Sequence, residues 1–226
     1  MKNLFLKEGF KIFPFDKGIF IYPEKKIIVY YYIDDFLITG EIKNEVLEVI
    51  NKVSKEITLK DMGEVSEFLG NEIDIDRKNK TILIHQTKYT LNAISKYNKG
   101  GTIKYPTPFE PGVKLRKATT KAAEEDITLY QQQIGALLYL ALKTRPDIAF
   151  AINKLSRFST NPDQSHFKAL DRVWGYLNRY PSLGLLYNCN EDLYIKVYSD
   201  SDWGSSLDDR KSTSGYISCI GNNFIN

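Results

Sequence analysis

Apolar and polar residues follow two different periods along this chain, and the places where the period changes mark its elements. Gly18-Ile19-Phe20-Ile21-Tyr22 is an apolar run closed by Pro23-Glu24-Lys25-Lys26, which predicts a strand and a turn. Ile27 to Ile33 supplies seven consecutive β-branched and aromatic residues, the pattern of a strand buried on both faces. A second short apolar run, Phe36-Leu37-Ile38, stops at Gly40, and the acids Asp34 and Asp35 separate the two runs. Three antiparallel strands are therefore expected, with a hairpin turn at the acids. After Gly40, Ile42, Val46, Val49, Ile50 and Val53 recur at helical spacing between charged residues, an amphipathic helix suited to covering the sheet.

Further along, Asp61-Met62-Gly63 reads as a turn and Phe68 to Ile75 as an extended segment with Gly70 inside it. A glycine there marks either a bulge or close approach by another backbone or a ligand. Ile73-Asp74-Ile75-Asp76 alternates between a dry and a wet face, and Thr81-Ile82-Leu83-Ile84 is its partner strand. A short helix follows over Gln86 to Asn98. The stretch from Lys99 to Thr120 carries three prolines and three glycines and predicts a linker or a surface strap. Its basic run, Lys114, Arg116, Lys117 and Lys121, is either a solvated face or a seat for a nucleic-acid backbone.

Three helices come next. The first is built on Tyr130, Ile134, Leu137, Leu138, Ala141 and Leu142, and the second on Ile148, Ile152 and Leu155. Phe167, Leu170, Val173, Trp174 and Leu177 mark the third, and prolines punctuate each boundary. The basic residues on these helices, Lys143, Arg145, Lys154, Arg157, Lys168, Arg172 and Arg179, read as solvated faces unless they share one side. Strands return at Leu185 to Tyr187, at Leu193 to Tyr198 and from Tyr216. The fold class is α+β.

Composition adds little but excludes much. At 226 residues the chain can bury a core, and a net charge of +3 permits a nucleic-acid partner without demanding one. Cys189 and Cys219 are too few for a disulfide framework or a zinc site, and His85 and His166, expected at the surface or at helix ends, are too few for most histidine-based chemistry. No apolar run approaches a membrane span, and the first residues lack the pattern of a signal peptide, so the expected location is intracellular.

That leaves the acids. Asp34-Asp35 is either a solvated turn tip or a pair of carboxylates held by a rigid hairpin, an arrangement that suits Mg²⁺ with substrate phosphates completing its shell. Asp200 and Asp202, where a strand runs into Ser199-Asp200-Ser201-Asp202-Trp203, pose the same choice between turn former and metal ligand.

Several stretches in fixed order resemble the polyprotein of Ty1/copia-type retrotransposons. They are Tyr32-Ile33-Asp34-Asp35-Phe36-Leu37-Ile38, Leu59 to Gly63 with Phe68-Leu69-Gly70, Ile134 to Leu140, Arg145-Pro146-Asp147-Ile148-Ala149, and Tyr198 to Trp203 followed by Asp209 to Tyr216. The resemblance covers essentially the whole chain. It implies a partial right-hand polymerase palm over residues 1–85, a helical thumb and connection over 86–182, and the first strands of a ribonuclease H-like domain over 183–226.

Asp34 and Asp35 would then be catalytic, metal-holding palm acids, with Tyr32 beside them at the nucleic acid. Phe68, Leu69 and Gly70 would grip the primer, whose approach would explain Gly70, and Asp200 rather than Asp202 would be the first ribonuclease H metal ligand. The implied cofactor is Mg²⁺ in a two-metal site, and the implied partners are template-primer, deoxynucleotides and the rest of the polyprotein, with no membrane. The family's third palm acid would fall upstream of Met1 and its other ribonuclease H acids beyond Asn226. The expectation is thus a reverse transcriptase fragment inactive in isolation, the alternative being a non-catalytic relic or a nucleic-acid-binding fragment.

Overall fold

The computed structural model describes residues 2–98, 101, 103–204 and 206–225, so Lys99, Gly100 and Thr102 of the expected strap lie outside the described residues. Helices and antiparallel sheets are mixed along the chain, as an α+β fold requires. It divides into two compact units, Met1–Phe68 and Leu69–Asn226.

In the first unit, α1 (Lys2–Lys7) leads into a sheet of β1 (Lys11–Ile12), β2 (Ile19–Tyr22), β3 (Ile27–Tyr32) and β4 (Asp35–Thr39), hydrogen-bonded in that order. Helix α2 (Lys43–Glu56) lays Val49 and Val53 onto one face of it, and they close a core with Phe5, Phe10, Phe20, Ile27 and Val29. The strand expected to be buried on both faces is buried on one. Ile27 and Val29 point into that core, whereas Ile28, Tyr30 and Tyr32 face the other way and stay open or half-open. Among the described residues no helix of this unit covers the second face, and an unbroken apolar run does not distinguish one covered face from two. Strand β5 (Glu67–Phe68) ends the unit.

The second unit begins with an antiparallel pair, β6 (Asn71–Asp76) and β7 (Thr81–His85), followed by α3 (Thr87–Tyr97). Helices α4 (Glu124–Lys143), α5 (Ala149–Ser156) and α6 (Gln164–Arg179) follow, with Pro146 opening a short 3-10 turn ahead of α5, as its fixed φ favours. They enclose a continuous core around Trp174, Tyr130, Leu137, Ile152 and Leu170, all fully buried. The indole N–H of Trp174 donates to Gln133 Oε1 at 2.7 Å, which satisfies a donor that burial would otherwise orphan. Strand β8 (Gly184–Asn188) then returns to pair with β7. A separate sheet is formed by β9 (Ile195–Ser201), β10 (Ser214–Ile220) and β11 (Asn223–Phe224), with β10 in the middle.

The strap after α3 does not float. Tyr105 N–H donates to Gly175 O at 3.4 Å, and a Cβ at Gly175 would sit 2.5 Å from the Tyr105 ring, so only glycine permits this approach to α6. The basic residues expected to be solvated help fasten it. Arg172 stacks on Tyr105 and bonds Thr107, while Lys154 lies over the rings of Phe109 and Phe150.

Candidate functional site

Tyr32 and Asp35 stand directly opposite each other across β3 and β4, which leaves Ile33 and Asp34 as a two-residue turn. Ile33 has φ +54° and Asp34 is not left-handed, the signature of a type II′ hairpin turn, whose twist matches that of the strands it joins. A β-branched residue is a poor occupant of that position, so the tip is strained. Tyr32 is 48 % exposed and Ile33 68 % exposed, and both aspartates are exposed as well.

The behaviour of the two carboxylates separates them from other turn acids here. Asp16, Asp61 and Asp76 each accept a backbone N–H two or three residues on, at 2.8, 2.8 and 3.0 Å, which is the ordinary use of aspartate in a turn. The carboxylates of Asp34 and Asp35 make no hydrogen bond or ion pair among the described residues. They project from the tip of a paired hairpin with their oxygens free among the described residues. Two adjacent, exposed carboxylates of this kind fit a hard cation that takes part of its shell from a bound phosphate. Among the described residues no cluster of three or more His, Cys, Asp or Glu forms a complete metal cage.

The open face of the sheet continues from the tip. Asp35, Tyr32, Leu37 and Tyr30 share it, because side chains alternate along paired strands. The Phe68 ring packs edge-on against Tyr30 at 5.8 Å, so of the three residues matched to a primer grip, Phe68 reaches the same face as Tyr32 and Asp35. Leu69 and Gly70 have φ of +50° and +76°, the backbone of a type I′ turn. Gly70 therefore lies in a turn and not inside a strand. Its lack of a side chain follows from its φ and from Tyr139, whose hydroxyl would be 2.9 Å from an added Cβ.

Asp200 is the penultimate residue of β9, opposite Gly215, and is exposed. One of its oxygens accepts the Ser201 N–H at 2.9 Å. Asp202 follows the strand and accepts the Thr213 N–H at 2.9 Å, a structural bond that ties the ends of β9 and β10.

One charged motif proves to be structural where a solvated face was expected. Arg145 is 1 % exposed. Its guanidinium grips Asp147 through Nε to Oδ1 at 3.0 Å and Nη2 to Oδ2 at 2.8 Å, and donates through Nη1 to Tyr180 O at 2.9 Å. Tyr176 completes the clamp by donating to Asp147 Oδ2 at 2.8 Å. Burial, and then that bond to Asp147, pushes the Tyr176 phenol up to about 12. The end of α4 is thereby bolted to the end of α6. Sequence reading missed this because nothing local distinguishes a clamped arginine from a solvated one.

The histidines differ from expectation too. His85 is buried between Thr87 and Asp74, at 2.6 and 3.1 Å, rather than at the surface. His166 does sit at a helix end, but it is fully buried there, and its Nδ1 accepts the Asp163 N–H in a reciprocal cap of α6.

Residues 1–111 match the family described as reverse transcriptase (RNA-dependent DNA polymerase). Across its full length the chain is 35 % identical to the retrovirus-related Pol polyprotein from transposon RE1 of Arabidopsis thaliana, of which it covers 15 %. It is 32 % identical to the corresponding polyprotein from transposon RE2 of the same plant, again over its full length and 15 % of the relative. An uncharacterised mitochondrial protein of Arabidopsis thaliana is 32 % identical over 86 % of this chain and 79 % of its own length. The chain thus spans about a seventh of the polyproteins it matches. No solved structure matches it. With the paired aspartates on their hairpin, these likenesses carry the assignment: the chain belongs to the reverse transcriptase family of copia-type retrotransposons, and is similar to one portion of their Pol polyproteins.

Proposed function

We propose that these residues form the part of an RNA-directed DNA polymerase that runs from the catalytic hairpin of the palm to the start of ribonuclease H. Residues 1–85 are the palm portion with its primer-gripping turn, 86–182 the thumb and connection, and 183–226 the first strands of the ribonuclease H-like domain. The observation that carries this reading is the pair of carboxylates, Asp34 and Asp35, without a partner among the described residues and on a strained turn, when Asp16, Asp61 and Asp76 bond their own backbone.

In this reading Asp34 and Asp35 hold Mg²⁺ beside the primer terminus. When bound, the metal supplies Lewis-acid activation of the primer hydroxyl and neutralises charge on the leaving pyrophosphate. The residues of this chain position and orient. The type II′ turn fixes both carboxylates relative to the sheet, so they need no reordering when nucleotide arrives. Tyr32 offers a flat, half-exposed ring to a base or sugar next to them. Phe68, braced on Tyr30, gives the open face a second aromatic edge. Asp200 is the corresponding first metal ligand of the ribonuclease H-like strands.

Two carboxylates at one tip fall short of the set that two-metal chemistry uses, so the 226 residues by themselves bind but do not polymerise. Two measurements test this. Primer extension on a poly-rA template with Mg²⁺ should give no incorporation above background for the chain alone, and detectable incorporation overturns that part. Mn²⁺, a paramagnetic stand-in, should broaden the backbone amide signals of residues 32–36, and Asp34→Asn with Asp35→Asn should abolish the broadening. Broadening confined to other parts of the chain removes the metal assignment.

A further inference from the structure

Gln86 stands at the N-cap of α3, yet its side chain makes no capping bond to that helix. A polar N-cap side chain ordinarily satisfies one of the first N–H groups of its own helix. Here the residue is 2 % exposed and its amide is spent on two remote partners. Its Nε2 donates to Gly70 O at 3.4 Å, 16 residues back, and its Oε1 accepts the Thr144 hydroxyl at 3.1 Å, 58 residues ahead. A carbonyl can only accept, so the nitrogen faces Gly70 and the oxygen is left for Thr144. Thr144 is itself 1 % exposed and caps the C-terminus of α4.

The turn at the near end of this bridge needs holding. Leu69 and Gly70 are both left-handed, a conformation that a leucine keeps only where its surroundings fix it. Two contacts hold Gly70. The Gln86 amide binds its carbonyl, and the Tyr139 hydroxyl of α4 approaches so closely that an added Cβ would meet it at 2.9 Å. Both contacts lead to α4, Tyr139 directly and the amide through Thr144. Tyr139 is braced in turn by Tyr89 of α3, with ring centroids 4.9 Å apart. A methionine at position 86 would fill much the same space, but it lacks the donor and the acceptor that span carbonyl and hydroxyl.

We propose that Gln86 is a positioning residue for this turn: its buried amide ties the Gly70 carbonyl to the end of α4, so that the helix sets where the turn stands. The proposal rests on the reading of Leu69-Gly70 as part of a primer-gripping turn. To that reading it adds a residue that, buried as it is, touches no nucleic acid and acts only through Gly70. It also adds a route, from the α4 terminus through Thr144 and Gln86, by which the helical region and the primer contact are held in one geometry.

Fluorescence anisotropy of the full chain with a labelled oligo-dT primer on poly-rA, and with poly-rA alone, separates positioning from bulk support. Gln86→Met keeps the length of the side chain and loses both bonds. It should weaken binding of the primed template about tenfold and leave binding of poly-rA unchanged. Thr144→Val should act in the same direction, whereas Thr144→Ser, which keeps the hydroxyl, should bind as the parent does. Adding Thr144→Val to Gln86→Met should cost nothing further, because both act through one bridge. Circular dichroism selects the variants that are folded, and if Gln86→Met is not, the two Thr144 variants carry the test. Equal losses on primed and unprimed template overturn the proposal, as does a double variant weaker than Gln86→Met or parent-like binding by Gln86→Met and Thr144→Val. The backbone amide signals of residues 69–71 in the parent, followed as primed template is added, show which claim has failed. If they do not shift, the primer-gripping reading falls and this proposal with it. If they shift while the variants bind as the parent does, only the role of Gln86 falls.

Discussion

Asp34-Asp35 and Arg145-Pro146-Asp147 are both short charged stretches among apolar neighbours, and the fold treats them in opposite ways. At the first, two carboxylates stand exposed on a strained turn, without partners among the described residues. At the second, a fully buried guanidinium and a carboxylate are tied to each other, to a backbone carbonyl and to a phenol. One motif contributes nothing visible to holding the chain together, and the other holds two helices. The difference teaches that a shared family motif does not announce its role: satisfied charge marks architecture, and charge left free on a hairpin is what the proposed metal-holding role needs.

The largest effect expected from this contrast is at the clamp. Arg145→Leu leaves Asp147 with the Tyr176 hydroxyl as its remaining side-chain donor and the Tyr180 carbonyl without its guanidinium donor. It should cost about 3–5 kcal/mol, the usual penalty for removing one member of a buried pair. Urea unfolding followed by tryptophan fluorescence reads it, because Trp174 lies in the same core. A loss below about 1 kcal/mol, the range of exposed ion pairs, would remove the distinction between the two motifs.

How far these features were legible follows the same division. Periodicity located the strands of the hairpin, α2, α3 and the three later helices, because each has a local apolar stripe. It failed where the deciding partner is remote. Arg145 meets the Tyr180 carbonyl 35 residues away, and β8 joins β7 across the whole helical stretch, neither of which leaves a local trace. Burial of β3 on one face only was hidden because Ile28 and Tyr30 are as apolar as Ile27 and Val29. The candidate tip was legible because a turn needs few residues and Asp-Asp is unusual between two strands, yet the left-handed Ile33 could not have been guessed from an isoleucine.

A middle-sized effect comes from the cap of α6, which sharpens the comparison by placing a titrating group on the architectural side. Burial holds the His166 ring below its ordinary 6.5, and its neutral Nδ1 accepts the Asp163 N–H. Burial would raise the Asp163 carboxyl, but bonds from Ser165 and His166 outweigh it and hold the group below its usual value. Both groups have lower pKa values folded than unfolded, so the unfolded chain binds more protons. The histidine contribution is complete above 6.5 and fades as pH falls below it, and the aspartate contribution fades below 3.8. The urea midpoint should therefore drop between about pH 7 and about pH 5, and Asp163→Ala should cost about 1–2 kcal/mol at neutral pH through loss of the cap. A midpoint unchanged over that interval would mean that His166 is not held neutral.

The smallest expected effect has the opposite sign and belongs to the other motif. Ile33 occupies a left-handed position that costs an ordinary L-residue about 1–2 kcal/mol, and its exposed side chain recovers little by burial. Glycine removes that cost and adds about 0.5–1 kcal/mol through the freedom it gains in the unfolded chain. Ile33→Gly should therefore stabilise the protein by about 0.5–1 kcal/mol. A substitution at the proposed site that improves stability is what strain retained for geometry predicts, since the turn has then been kept at some expense to the fold. Thermal unfolding of Ile33→Gly beside the parent chain decides the matter. If the glycine chain is less stable, the isoleucine is packing usefully at the tip, and the idea that this hairpin stores strain on behalf of its two carboxylates fails.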